Sequence, residues 1–338
     1  MKKKSGPKFH GILLTRDDED IIGPCIAHAL TWCDHLYIYE TCGFDRTWDI
    51  VQEWRAKDAR IETFRFEGGQ ALMESGLRGY VFERFRKNMT DGDWVVQVDS
   101  DEFYHISPKE FVETRLLSRH TAVGFQLYEF RLLESEVENW YRGGESLADR
   151  SRSIAERRRH YEMLNYTEPR MFKYRPHMQW PPHVAYPYNL GFTARVRIPV
   201  RHYPTRDPVQ VQKRWALRKI LAPDADTSWM HWRHGSWRDL VTPDSAEGLH
   251  FWPPGADLEA DPYPLNPVRQ PKRAVQFLVR YGPNRLLDLI RPKPPVGYRP
   301  RKLAESTVSK IRHVFEDIEA CGRANTVWQP SLGEASGG

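Results

Sequence analysis

Two aspartates, separated by one residue, follow a short apolar run in the sequence. Residues Trp94–Val98 are rich in β-branched side chains and follow the turn-forming pair Asp91-Gly92, so they predict a buried strand. In an extended chain Asp99 and Asp101 point to the same side, about 6–7 Å apart. Hard oxygen ligands suit Mg²⁺ or Mn²⁺, which is usually held by one or two carboxylates together with substrate phosphates. The spacing therefore indicates a site for a divalent cation and a diphosphate, with a solvated strand end as the alternative.

Three strand-and-helix pairs precede this run and must position it. Apolar periodicity predicts strands at 9–15, 36–39 and 61–66, and helices at 21–31, 48–57 and 72–89. Such alternation is typical of an α/β fold with a mostly parallel sheet flanked by helices. Ligands of these sheets bind at the carboxyl ends of the strands. We expect a ligand site at this edge because polar clusters follow all four strands, at 16–18, 40–45, 68–69 and 99–102.

Three segments resemble those of bacterial family 2-type glycosyltransferases: LLTRDDEDIIGPCIAHAL, YIYETCGFDRTWDIV and DWVVQVDSDEF. The resemblance covers about residues 8–130. It departs from the usual family pattern at Asp17, where relatives carry Asn, at Glu40, where they carry Asp, and in the turn at 42–44. What the resemblance implies is a GT-A (Rossmann-like) fold, a UDP- or GDP-linked sugar donor and a Mn²⁺ or Mg²⁺ ion.

The same resemblance implies roles for individual residues. Asp101 would hold the metal, Asp99 would contact the ribose or the metal, and Asp18 and Glu40 would contact the base or ribose. The expected nucleotide-sugar contacts also include Thr15, Arg16, Asp45 and Ser100. For Asp18 the alternative is a helix N-cap, and for Glu40 it is a solvated strand end.

The later part of the chain offers candidates for the remaining chemistry. Related enzymes often carry His-Glu where this chain has His183-Val184, so a carboxylate base is not expected here. His183 is a candidate base for an acceptor hydroxyl because imidazole titrates near neutrality, with a structural histidine as the alternative. A late His commonly completes the metal site of GT-A enzymes, and His202 is the candidate. Arg206 and Lys213 are candidates for neutralising the diphosphate.

The segment from Glu134 to Met163 is rich in arginine. It predicts either a solvated helical insertion or a mobile platform for the acceptor, with Arg157 and Arg158 as phosphate ligands. The Pro181–Tyr188 turn and the aromatic stretch around Trp232 are further candidates for the acceptor side. Arginine forks and aromatic rings together favour an anionic glycan or glycolipid acceptor.

Composition limits the class of protein. The 338 residues carry a net charge of +5, which permits an anionic ligand without requiring nucleic acid, so no nucleic-acid partner is expected. No apolar run approaches the ~18 residues of a membrane span. The 4 cysteines show neither a zinc spacing nor a disulfide framework, so a cytoplasmic protein is expected.

The sequence predicts two regions. Residues 8–235 would form the GT-A catalytic domain, and 236–338 a Pro-rich linker and helical C-terminal extension, with helices at 273–289 and 303–321. The expected function is metal-dependent, inverting transfer of a sugar to an acceptor hydroxyl in glycan or polysaccharide synthesis. The alternatives are a non-catalytic nucleotide- or carbohydrate-binding protein and another nucleotidyl-type transferase. The acidic turn at 16–18 argues against the latter, which would carry a Gly- and Lys-rich phosphate loop there.

Overall fold

The computed structural model describes residues 6–66, 77–164, 166–181, 184–221, 235–260 and 302–329. Its strands are β1 Phe9–Thr15, β2 His35–Glu40, β3 Ile61–Arg65, β4 Trp94–Asp99, β5 Glu102–Tyr104, β6 Ala122–Phe130, β7 His160–Leu164, β8 Pro169–Lys173, β9 Ile198–His202 and β10 His250–Phe251. Its α-helices are α1 Ile22–Ala29, α2 Thr47–Lys57, α3 Leu77–Phe85, α4 Pro108–Arg115, α5 Glu134–Tyr141, α6 Ile154–Arg157, α7 Pro208–Leu221 and α8 Glu305–Arg323. Short 3₁₀ turns span Arg86–Asn88, Leu147–Ser151 and Trp237–Leu240.

The chain groups into two compact units. The first takes its described residues from Met1–Glu129, Met163–His202 and Gly255–Leu303, and the second from Phe130–Glu162, Tyr203–Pro254 and Ala304–Gly338. This division differs from the predicted boundary after residue 235. The physical reason is that α8, expected in a separate extension, packs against α7 around Val209, Ala216 and Ile318. Gly322 permits the approach, since a Cβ there would lie 2.3 Å from the Val209 side chain. The helix expected at 273–289 lies outside the described residues.

A mixed sheet forms the centre of the first unit, with strand order β6-β8-β4-β1-β2-β3. The four strands β1 to β4 are mutually parallel where they pair, as the sequence predicts. Beyond β4 the pattern changes, because β8 runs antiparallel to both β4 and β6. A second set of pairings joins β9 to β6 in parallel and to β5 in antiparallel orientation. The α/β class is confirmed, and the sheet is mixed rather than mostly parallel.

Side chains on both faces of the central strands are buried. Every residue of β1 is buried, as a continuous apolar run predicts for a central parallel strand. Ile12 and Leu14 share a core with Val81 and Phe82 of α3. Gly11 faces the other way, and a Cβ there would contact the ring of Trp32, just beyond α1. This packing leaves the strand ends as the place where polar groups reach the surface.

None of the helices in the described ranges is both long and apolar enough to cross a membrane.

Candidate functional site

The carboxyl ends of three adjacent strands meet at one edge of the sheet. Thr15 of β1 pairs in register with Glu40 of β2, and Leu14 pairs with Asp99 of β4. The next strand after β2 in the chain extends the sheet on one side of β1, whereas β4 lies on the other side. Such a reversal of strand order opens a crevice in which α/β proteins bind ligands. The sheet therefore brings the predicted clusters at 16–18, 40–45 and 99–102 to one place.

Asp18 joins the turn after β1 to the Asp-x-Asp turn after β4. Its carboxylate accepts hydrogen bonds from the Thr15 hydroxyl at 3.1 Å, the Arg16 amide at 3.2 Å and the Ser100 hydroxyl at 2.5 Å. Its own amide donates to the Thr47 hydroxyl at 2.8 Å, next to the start of α2. The residue at the cap position of α1 is Ile21. Four predicted ligand residues thus belong to one hydrogen-bonded cluster.

The turn after β2 packs closely on the turn after β1. Asp17 and Cys42 adopt left-handed backbone conformations, with φ of 53° and 62°. A Cβ at Gly43 would lie 2.7 Å from Oδ1 of Asp17, so only glycine allows the two turns to approach this closely. The Asp17 carboxylate accepts a hydrogen bond from the Phe44 amide. Aspartate, like asparagine, tolerates the left-handed region, so Asp17 can adopt this conformation.

Asp45 lies beside this pair of turns. Its carboxylate accepts hydrogen bonds from the amides of Glu19 and Thr47, both at 2.9 Å, and Thr47 is the first residue of α2. Burial and the charge of Asp17 raise the pKa of Asp45 to about 7. The charge of a carboxyl with a pKa near neutrality changes readily when a cation or an anion binds nearby.

Glu40, the last residue of β2, is held by partners within the protein. Its side chain is fully buried, so it is not a solvated strand end. One carboxylate oxygen accepts from the Gly43 amide, and the other lies 2.6 Å from Nε of Arg65. Both oxygens thus have partners within the protein, and contact of Glu40 with a base or ribose stays a prediction. The carboxylate also orients Arg65, whose guanidinium lies over the Trp48 ring at 5.1 Å and whose side chain is 36% exposed.

Asp99 is held between two arginines. One carboxylate oxygen pairs with Arg78 of α3, and the other lies 3.1 Å from an η nitrogen of Arg170 of β8. Burial raises the pKa of Asp99, but the two guanidinium groups outweigh it and lower the pKa below the usual range. A metal ion that binds Asp99 would therefore compete with Arg78 and Arg170, because these cationic side chains already contact both oxygens.

Arg170 also pairs with Glu102, at 2.7 Å from Oε1. Burial raises the pKa of Glu102 to about 7, against the opposing effect of Arg170. The guanidinium lies over the Phe125 ring at 4.8 Å and contacts the Gln97 amide oxygen at 3.4 Å. Sequence reasoning missed Arg170 and Arg78, because their partners lie 21 to 73 residues away along the chain.

Asp101 and His202 lie together, as predicted. Strand β9 places His202 directly opposite Glu102 of β5 and Glu129 of β6. Nε2 of His202 is 3.5 Å from Oδ2 of Asp101, and Nδ1 is 3.1 Å from Oε2 of Glu129. Burial lowers the pKa of His202, but the two carboxylates outweigh it and raise the pKa to about 10. In the protein alone, the imidazolium thus neutralises two acids.

The donor set can be tested against the needs of a divalent cation. In the described part of the chain, no group of three or more His, Cys, Asp and Glu side chains is arranged to hold a metal ion. Asp101 and Nε2 of His202 nevertheless form a two-donor pair, and Glu129 holds the opposite ring nitrogen, as carboxylates do for metal-binding histidines. Two protein ligands suit Mg²⁺ or Mn²⁺ when substrate phosphates supply the rest. The residues present fit a cation that binds together with a diphosphate.

Two predicted phosphate ligands belong to the second unit. Arg206 is buried, its amide donates to the Gln210 side chain at 3.1 Å, and its guanidinium contacts the Tyr203 carbonyl. Lys213 of α7 forms an ion pair with Glu319 of α8. Both side chains therefore have structural partners within their own unit.

Three of the predicted sites lie outside the described residues: His183, Gly68-Gly69 and the stretch around Trp232.

The central arginines of the Arg-rich segment are buried, so this part of the segment is neither a solvated insertion nor an exposed platform. The side chains of Arg157 and Arg158 are each 1% exposed. Both pair with Glu145, which Arg158 contacts through two nitrogens at 3.1 Å. Burial of this ionic cluster explains why the two guanidinium groups are not presented to an acceptor. Arg152 is 53% exposed and pairs with Asp149.

Comparisons with known proteins place these features in context. No protein-family model matches the chain. No curated protein matches it. Among solved structures, the chain is similar to the mannosyltransferase PcManGT from Pyrobaculum calidifontis, solved in complex with GDP-Man and Mn²⁺. The similarity has 13% sequence identity and a TM-score of 0.30, and it covers 46% of this chain and 52% of that one. The matched part therefore spans about half of the length of that protein.

Proposed function

We propose that this chain is a metal-dependent glycosyltransferase of GT-A type. It would transfer a sugar from a nucleoside-diphosphate donor, UDP- or GDP-linked, to a hydroxyl of a glycan or glycolipid acceptor. The observation that carries the proposal is the Asp101–His202 pair, supported by Glu129, just beyond the carboxyl end of β4. The sequence resemblance around the Asp-x-Asp strand supports the same reaction.

The reaction would be a single displacement with inversion. The acceptor oxygen attacks the anomeric carbon, the bond from that carbon to the diphosphate oxygen breaks, and the acceptor proton passes to a base. The nucleoside diphosphate then leaves. His183, at the position named by the resemblance, is the proposed base, and it lies outside the described residues.

Asp101 and His202 would hold Mn²⁺ or Mg²⁺. The ion would supply Lewis-acid neutralisation of the charge that develops on the leaving diphosphate. Asp18, with Thr15, Arg16 and Ser100, would orient the nucleotide, since these groups form one cluster beside the Asp-x-Asp turn. Asp45 would act in the same cluster. Arg206 and Lys213 remain proposed phosphate ligands on the sequence resemblance alone.

Donor hydrolysis without an acceptor provides the most direct test, because it does not require knowledge of the acceptor. Purified protein would be incubated with UDP- and GDP-sugars, with Mn²⁺ or with excess chelator, and the released nucleotide would be measured. Metal-dependent release from one donor class, lost in Asp101→Asn and kept in the surface control Asp58→Asn, would support the proposal. Binding of a nucleoside diphosphate without turnover on any donor would favour the non-catalytic binding protein. Release that continues in chelator would contradict the metal site.

A further inference from the structure

Residues 255–260 form a strap that lies against β6 and against the residue that follows β5. The Leu258 amide donates to Nε2 of His105 at 3.0 Å, and the Tyr128 hydroxyl of β6 donates to the Glu259 carbonyl. The Leu258 side chain is buried. Hydrogen bonds and an apolar side chain therefore hold the strap in place.

His105 is held by the sheet and is the partner of the strap that can titrate near neutrality. Its amide donates to the Pro199 carbonyl of β9 at 2.9 Å, and its side chain is 14% exposed. In the described part of the chain, two charged groups face the ring, Arg201 of β9 and Asp257 of the strap. Burial and the charge of Arg201 lower the pKa of His105, against the opposing effect of Asp257. The ring is therefore mainly neutral at pH 7, which suits its role as an acceptor.

Nε2 of His105 faces two groups of opposite hydrogen-bonding character. A backbone amide can only donate, so Nε2 must offer its lone pair to Leu258. Oδ1 of Asp257 lies 3.9 Å from the same nitrogen, and a carboxylate can only accept. A protonated Nε2 cannot accept from Leu258 and becomes a donor that the carboxylate attracts. Because the Asp257 side chain is 99% exposed, water screens this attraction, and it does not replace the lost bond.

We propose that the strap is a pH-sensitive latch, docked while Nε2 of His105 accepts from the Leu258 amide and released when that nitrogen takes up a proton. The inference goes beyond the proposed function and does not depend on it. In the released state the ring is hydrated, and its pKa returns toward the ordinary value of about 6.5. Docking is therefore fully favoured above about pH 6.5. It weakens by up to about tenfold for each pH unit below that value, until the lowered pKa of the docked ring is reached.

Release of the strap would change the environment of β6. Tyr128 is buried, and its hydroxyl would exchange the Glu259 carbonyl for water. Tyr128 directly precedes Glu129, whose carboxylate contacts Nδ1 of His202. The latch would therefore link the protonation of His105 to the hydration of the strand that supports the candidate site.

The experiment measures the protection of the Leu258 amide against hydrogen exchange by NMR, from about pH 8 down to about pH 5. Rates are expressed relative to those of the unfolded chain at each pH, because the intrinsic exchange rate itself depends on pH. In the unaltered protein we expect protection to fall by about three- to thirtyfold, the larger value being the limit for about 1.5 pH units below the ordinary His pKa. Tryptophan fluorescence over the same range checks that the rest of the fold persists.

Four variants assign the transition to His105. His105→Gln keeps an acceptor that cannot take up a proton, so protection should stay within about threefold across the range. His105→Phe keeps a ring without an acceptor and should show low protection at every pH. Asp257→Asn should move the transition to lower pH, because the carboxylate favours the protonated ring. The matched control is His120→Gln, since Nδ1 of His120 accepts from the Leu117 amide at 3.1 Å, and it should leave the transition of the strap unchanged.

Two results would overturn the inference. One is a fall in protection that is the same in the unaltered protein and in His105→Gln, since another group would then release the strap. The other is protection that changes by less than about threefold in the unaltered protein. If His105→Gln does not fold, Asp257→Asn carries the test, and an unshifted transition overturns the inference. These measurements use neither donor nor metal, so their outcome is independent of whether the chain is a glycosyltransferase.

Discussion

Glu129 contacts Nδ1 of His202 at 3.1 Å, on the side of the ring opposite the nitrogen that faces Asp101. The carboxylate accepts a hydrogen bond from the Nδ1–H group, and this leaves Nε2 directed at Asp101. The two residues lie 73 positions apart and meet because β6 and β9 pair in parallel at this point. Glu129 therefore fixes the orientation of the ring and would keep the proton on Nδ1 if Nε2 bound a metal.

The first prediction follows from this contact. Glu129→Gln should weaken Mn²⁺ binding about 10–100-fold, as loss of an outer carboxylate partner does at other metal sites. The Mn²⁺ concentration giving half-maximal donor hydrolysis is the measurement, and the rate at saturating Mn²⁺ should recover in large part. Glu62→Gln on β3, which accepts from Asn88, serves as a control of the same chemistry. Unchanged Mn²⁺ dependence in Glu129→Gln would show that His202 needs no such support.

A second prediction concerns Asp101. Asp101→Asn removes the carboxylate charge that lies 3.5 Å from Nε2 of His202. Donor turnover should fall at least about a hundredfold, which corresponds to roughly 2.7 kcal/mol of transition-state stabilisation. The melting temperature without metal should also fall, because the variant loses one of the two carboxylates that compensate the charge of the His202 imidazolium, so turnover is compared per folded molecule. Turnover within a few-fold of the unaltered protein would refute the assignment.

The third prediction concerns Asp18. Its carboxylate joins Thr15, Arg16 and Ser100, so Asp18→Ala should disorganise the proposed nucleotide pocket. Calorimetry should show affinity for the preferred nucleoside diphosphate reduced about tenfold or more, the loss of one to two hydrogen bonds to a charged group. Asp34→Ala offers a control, since Asp34 accepts from the Phe9 amide at the opposite end of β1. Equal affinity in Asp18→Ala and Asp34→Ala would remove Asp18 from the binding site.

Local sequence signals located the elements that carry the site. The apolar run of β1 predicted a strand at 9–15, as observed for Phe9–Thr15. Strand β5 was not predicted, because Glu102–Tyr104 has only three residues. Strand β9 was not predicted, because Ile198–His202 contains Pro199, and proline is unfavourable in a paired strand.

The pairing of charges could not be predicted in the same way. Acids were found at the strand ends, but their partners come from elements that meet only in the folded sheet, such as Arg170 with Glu102 at a separation of 68 residues. The same limitation explains Glu40, whose partner Arg65 lies on the neighbouring strand, 25 residues later. Sequence therefore identified the groups that could do chemistry, and tertiary pairing decided which of them are held by other side chains.

A fourth prediction concerns acid stability in the second unit. Asp207 is fully buried, accepts from the Gln210 amide at the start of α7 and pairs with Arg150 at 2.9 and 3.0 Å. Burial raises the pKa of Asp207, but Arg150 and these hydrogen bonds outweigh it and lower the pKa. The stabilisation is therefore present above the ordinary Asp pKa of about 3.9 and is lost as pH falls toward the lowered value.

Chemical unfolding at pH 7 and pH 4, followed by tryptophan fluorescence, measures this effect. Arg150→Met should cost about 3–5 kcal/mol at pH 7, because it leaves a buried charge unpaired. That loss should shrink as the pH is lowered and Asp207 of the variant takes up a proton. A loss that stays constant between the two pH values would mean that Arg150 acts through packing rather than through the charge of Asp207.

The last prediction revises the acceptor side. Arg157→Ala and Arg158→Ala together would remove both cationic partners of Glu145, whose side chain is 9% exposed. Because a buried carboxylate left without a partner is strongly unfavourable, the main effect should be a loss of stability of about 3–5 kcal/mol. The acceptor KM, measured below the melting temperature and corrected for folded fraction, should stay unchanged, and the same variant carrying Glu145→Gln should recover part of the lost stability. The variant with Glu145→Gln separates a structural role of these arginines from a role in acceptor binding. If the acceptor KM stays raised after stability is recovered, and if this increase becomes smaller at high salt, the arginines belong to the acceptor site.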